Sequence, residues 1–123
     1  MDIKITSVLL VLGIILLTGC YYDNKEDLFL IDTDCPRENV TYSQTIEPIL
    51  NNRCYTCHAA GIELGNINLE DFATLKFYVN NTKLIKSIKH ESGASAMPQG
   101  GAKIPDCEIQ KIEKWISDGA LDN

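Results

Sequence analysis

Cys54-Tyr55-Thr56-Cys57-His58 is the stretch on which the reading of this chain turns. Two thiols stand three positions apart, and an imidazole follows the second without a gap. Three chemistries use thiols spaced in this way. A redox-cycling dithiol wants the motif at the head of a helix in a βαβ setting, and no strand alternation surrounds it here. A zinc ion would take Cys54, Cys57 and His58, but the adjacent Cys57 and His58 make poor tetrahedral partners, and no second Cys/His pair completes the set. The third chemistry is covalent attachment of a c-type haem. Each thiol adds to one haem vinyl group, and the next residue offers its imidazole to the iron. The spacing favours this third reading.

Upstream, the chain opens with Met1-Asp2-Ile3-Lys4 and an apolar run from Val8 to Leu17 broken only by Gly13. About ten apolar residues suit the core of a signal peptide and fall short of the roughly twenty that a spanning helix needs. The run ends in Leu17-Thr18-Gly19-Cys20, which resembles the bacterial lipobox, where the cysteine is lipidated and heads the mature protein. The expected organisation is a lipoprotein signal peptide over 1–19, an acidic tether over 20–36 and one small domain over 37–123. Asp23, Glu26, Asp27, Asp32 and Asp34 crowd the tether, which Leu28-Phe29-Leu30-Ile31 interrupts. The expected location is the bacterial cell envelope, with the protein anchored to a membrane through lipid on Cys20 and facing the periplasm or the exterior.

The five cysteines then sort themselves. Cys20 would carry lipid, and Cys54 and Cys57 would carry haem. Cys35 and Cys107 remain, an even pair in a compartment that permits a disulfide. Two buried free thiols are the alternative. The net charge of −6 argues against nucleic acid as a partner.

The hydrophobic pattern is helical throughout. A first helix is expected from about Thr45, acting as cap, to Arg53, with Ile46, Ile49 and Leu50 on one face and Pro48 in the first turn. A second is expected over Glu70 to Tyr78 and a third over Thr82 to Ile88. Ser92 to Gly101 reads as a loop. A last helix begins after Pro105 with Asp106 as cap, repeats Ile109, Ile112, Trp115 and Ile116, and ends at Gly119. The class is all-α.

Haem iron has a second axial position. Of the two methionines, Met1 leaves with the signal segment. Met97 therefore stands alone in the mature chain, in the small-residue loop Ala94-Ser95-Ala96-Met97-Pro98-Gln99-Gly100-Gly101. A lone methionine in a core usually only packs. In this loop, with a ligand required, Met97 is the candidate, and thioether ligation raises the iron's potential. His90 is the competitor, although a solvated surface role suits its position after Lys89.

Three segments together resemble a class I, monohaem cytochrome c. They are Ile46-Glu47-Pro48-Ile49-Leu50 leading into Cys54 to His58, Met97-Pro98-Gln99-Gly100-Gly101, and Glu108 to Ile112 followed by Trp115 to Ala120. The resemblance implies a small helical domain wrapped around one covalent haem c, with crossing first and last helices. It assigns Cys54 and Cys57 to attachment, His58 to the proximal position and Met97 to the distal one. Crossing helices would bring Cys35 and Cys107 within reach, although such a disulfide is not general in the family.

The expected function is electron transfer by a membrane-tethered carrier that serves redox partner proteins and is not itself an enzyme. The alternative is a haem-based sensor or peroxidase-like protein whose sixth ligand can be displaced. Trp115 is expected in the core. Arg53 is either solvated or paired with a haem propionate. Lys76, Lys83, Lys86 and Lys89 form either a polar helix face or a docking patch for an acidic partner.

Overall fold

The computed structural model describes residues 35–123, and every regular element among them is helical. The expected signal segment 1–19, the lipidation site Cys20 and the tether up to residue 34 lie outside the described residues.

The first helix opens as a π-helical turn, Tyr42–Ile46, that continues into α1, Glu47–Arg53. Thr41 is its cap, accepting a hydrogen bond from the Gln44 amide at 3.3 Å. The helix thus starts before the expected Thr45. Pro48 would ordinarily mark the first turn of an α-helix. In an α-register its ring would press on the Gln44 carbonyl and stop the helix from extending upstream. Upstream of it the backbone takes the wider π spacing, with Ile46 N–H on the Thr41 carbonyl at 3.2 Å. Ile46 and Leu50 are sealed from solvent, and Ile49 packs against them.

After Cys54 a single helical turn, α2, covers Tyr55–His58. A 3-10 turn at Leu64–Asn66 precedes α3, Phe72–Asn80. Asp71 caps α3, its carboxylate accepting from the Thr74 amide at 2.8 Å. The helix begins two residues later than the pattern predicts. The Asn68 side chain takes the Glu70 and Asp71 amides into a local turn, at 3.0 and 3.4 Å. Next come α4, Lys83–Lys89, and α5, Asp106–Ser117. Pro105 rather than Asp106 occupies the cap of α5. Asp106 stands in the first turn, where its negative charge suits the helix dipole and pairs with Lys103 at 2.7 Å.

The first helix and α5 run antiparallel. Tyr42 N–H donates to Asn123 Oδ1 at 2.9 Å, beyond the end of α5. At the other end, Arg53 meets Glu108 in the first turn of α5. Trp115 is 1% exposed, and its ring lies 5.9 Å from that of Tyr42 and 6.3 Å from that of Phe72. Its indole N–H donates to the Leu121 carbonyl at 2.9 Å, so the buried nitrogen is satisfied. Trp115 is a core residue, as the helical repeat predicts.

Cys35 and Cys107 are bonded, with their Cα atoms 5.5 Å apart. The bridge spans 72 residues and fastens the segment before the first helix to the first turn of α5. Closing a loop of that length stabilises the fold by about 4 kcal/mol in the chain-entropy model. Cys35 is buried, so the folded body includes the last residues of the stretch expected as tether.

Candidate functional site

Cys54 has φ −123°, which interrupts the first helix. Its carbonyl then accepts from both the Cys57 and His58 amides, at 3.0 and 2.9 Å, and winds α2 around it. Ala59 returns to extended backbone and ends the turn. Two bonds pin the segment that follows. The His58 carbonyl takes the Leu69 amide at 2.8 Å, and the Ala60 amide donates to the Glu70 carboxylate at 2.8 Å.

A cavity of about 920 Å³ opens beside this turn. That volume is at the upper end of the range for small-molecule and cofactor sites. Cys54, Cys57 and His58 line it, together with the apolar side chains of Leu69, Leu84 and Ile88. Met97 and Pro98 line the same cavity from the loop after α4. The four residues singled out from sequence therefore share one cleft, although 39 positions separate His58 from Met97.

The chemistry of the donors narrows what the cleft can hold. Cys54 and Cys57 are not bonded to each other. Burial is the main cause that pushes the Cys54 thiol up to about 11. A redox dithiol needs the opposite shift, and no strand for a βαβ setting exists among the described residues. Nor do three His, Cys, Asp or Glu side chains among the described residues converge as a set able to hold a metal ion, as a zinc site would require. His58 Nδ1 is buried and has no hydrogen-bond partner. An unpaired buried nitrogen is costly, and the ring that carries it lines the cleft. Two unbonded thiols, an imidazole and a thioether line one largely apolar cleft, a donor set that suits a covalently attached haem.

Met97 is held through its backbone. Its amide donates to the Ser87 carbonyl at 3.0 Å, and its own carbonyl lies 3.0 Å from His90 Nε2. Gly93 turns the chain between these elements at φ +93°, a conformation that L side chains rarely adopt. His90, the competing ligand, is exposed, points its Nε2 at that carbonyl and does not line the cavity.

Comparison of the chain with protein families, with curated proteins and with solved structures finds no match in any of the three.

Among the charged residues, Arg53 is exposed, in keeping with the solvated reading. Arg53 lines the cavity, yet its guanidinium is engaged by the Glu108 carboxylate through two bonds of 2.8 Å. Three of the four lysines have different surroundings. Lys76 caps α5 by donating to the Gly119 and Ala120 carbonyls, and Lys89 pairs with Glu91 and Glu113. Lys83 lines the cavity. Sequence reading also missed Ser87 and His90 as supports of the Met97 loop. Both contacts join the end of α4 to a loop of irregular backbone, and no periodic pattern encodes such contacts.

Proposed function

We propose that this chain binds one haem c in the cleft and transfers single electrons between redox partner proteins, tethered to the bacterial envelope through lipid on Cys20. The observation that carries the reading is the convergence of Cys54, Cys57, His58 and Met97 on one apolar cavity.

Bound there, haem supplies one-electron oxidation and reduction. Cys54 and Cys57 would hold it by adding each S–H across one vinyl group, which forms two thioether bonds and consumes no oxidant. The high pKa of Cys54 keeps its sulfur protonated, and so neutral in the apolar wall, until that bond forms. His58 and Met97 would be the protein groups that hold the iron. A thioether from Met97 and the apolar side chains of Leu69, Leu84 and Ile88 beside the group would be two levers on its potential.

The test is a pyridine haemochrome spectrum of protein made together with a haem-attachment system. A spectrum of two thioether links, kept after acid-acetone extraction, supports the proposal; absence of covalent haem overturns it. The ferric protein should also show the weak near-infrared charge-transfer band of methionine ligation, and Met97→Ala should abolish it. Tight binding of carbon monoxide by the native ferrous protein would favour the sensor or peroxidase-like alternative.

A further inference from the structure

The backbone of Met97 is fixed at two points by the last turn of α4. Its N–H donates to the Ser87 carbonyl at 3.0 Å, and its carbonyl lies 3.0 Å from His90 Nε2. The first contact is backbone to backbone and indifferent to side chains. The second depends on one residue. A carbonyl only accepts, so the His90 tautomer in this contact carries its proton on Nε2 and donates.

The placement of His90 is specific. It ends α4 in a left-handed conformation, φ 58°, which turns the chain away from the helix axis. Its amide closes the helix on the Ser87 carbonyl at 3.2 Å. The Ser87 carbonyl thus serves both the helix end and the Met97 amide, while the His90 ring takes the other side of the same peptide segment. Between them, Gly93 and Ala94 line the cavity and leave no bulky side chain to wedge the loop in place. The His90 ring contact is exposed, so it acts on the loop and not on the core.

We infer that His90 is a positioning residue for Met97: its Nε2–H holds the Met97 carbonyl, and so keeps the thioether over the cleft against competing ligands. This rests on the proposal that Met97 ligates a haem iron.

The experiment uses the haem-loaded protein and compares wild type, His90→Ala and His90→Gln. Glutamine places an amide N–H at the same number of bonds from Cα as His Nε2. Alanine and glutamine meet the same left-handed backbone, so their difference isolates the side-chain donor. The readouts are the near-infrared methionine band, the affinity of the ferric protein for added imidazole, and the thermal midpoint. Expected for His90→Ala is a weakened band and imidazole binding tighter by roughly three- to tenfold, the range one hydrogen bond supplies. The thermal midpoint should stay close to wild type, and His90→Gln should recover most of the band and the imidazole resistance. Unchanged imidazole affinity in His90→Ala overturns the inference, as does failure of glutamine to restore what alanine lost. A wild-type protein without the band overturns methionine ligation itself. That result is distinct from a wild type with the band that is insensitive to His90.

Discussion

Arg53 and Glu108 face each other through two parallel hydrogen bonds of 2.8 Å, one residue before Cys54 and one residue after Cys107. The pair joins the end of α1 to the first turn of α5, and therefore links the cavity wall to the disulfide. Its bidentate geometry is the strong form of an arginine–carboxylate contact, but both side chains remain partly exposed. Glu108→Ala should lower the thermal midpoint by roughly 2–5 °C at low ionic strength and by less in 1 M salt. Differential scanning calorimetry at the two salt concentrations checks this. A salt-independent loss would mean that packing, not charge, holds the contact.

The disulfide should matter more. Cys35→Ser with Cys107→Ser should cost about 4 kcal/mol of unfolding free energy, from the chain entropy of the loop it closes. Guanidinium denaturation of the haem-loaded protein, with and without reductant, gives the figure. In the unreduced wild type a denaturing thiol titration should find no sulfhydryl at Cys35 and Cys107, which are bonded, and none at Cys54 and Cys57 if they carry haem as proposed.

The core has its centre at the contact of the first helix with α5. Ile112 is 1% exposed and faces the same cluster as Trp115 and Ile46. Ile112→Ala should cost roughly 2–5 kcal/mol and Ile112→Val roughly 0.5–1.5 kcal/mol, the difference reflecting the residual cavity. Trp115→Ala, at roughly 3–5 kcal/mol, also loses the indole bond to the Leu121 carbonyl. Chemical denaturation of each variant measures all three.

Acid stability should show the cap of α3. Hydrogen bonds from the Thr74 side chain and then its amide hold the Asp71 carboxyl below its ordinary value of 3.8. A carboxyl depressed in the folded state stabilises it fully above the unfolded value, and that contribution is lost as pH falls through the folded one. Asp71→Asn keeps a capping oxygen but removes the titration. The wild-type advantage in thermal midpoint should therefore be level above pH about 5 and shrink below pH about 4. Circular dichroism melts of both proteins from pH 7 to 3 decide it; an advantage that stays level throughout contradicts the assignment.

Much of this was legible before any coordinates. Ile109, Ile112, Trp115 and Ile116 mark α5 by period alone, and Leu84 and Ile88 mark α4, because burial on one helical face forces that spacing. The early start of the first helix was not legible. Pro48 reads as a first-turn residue in an α-helix, and the chain instead continues upstream of it as a π turn. The caps misread at Thr45 and Asp106 have the same origin. Helix ends are set by local hydrogen-bond competition, as when Asn68 takes the Glu70 and Asp71 amides, and hydrophobic period carries no information about it.

The sequence by itself determined the all-helical class and the parity that pairs Cys35 with Cys107, and it singled out the Cys54 to His58 motif as the candidate site. These follow from residue type and short-range spacing, which the chain states directly. Tertiary structure alone decided that Met97 and His58 line one cavity, that His90 holds the Met97 carbonyl instead of lining the cleft, and that Lys76 and Lys89 are engaged elsewhere. Each of these joins residues on different elements. Which of them meet depends on how α4 and α5 pack, an outcome of burial summed over the whole core and not of any local pattern.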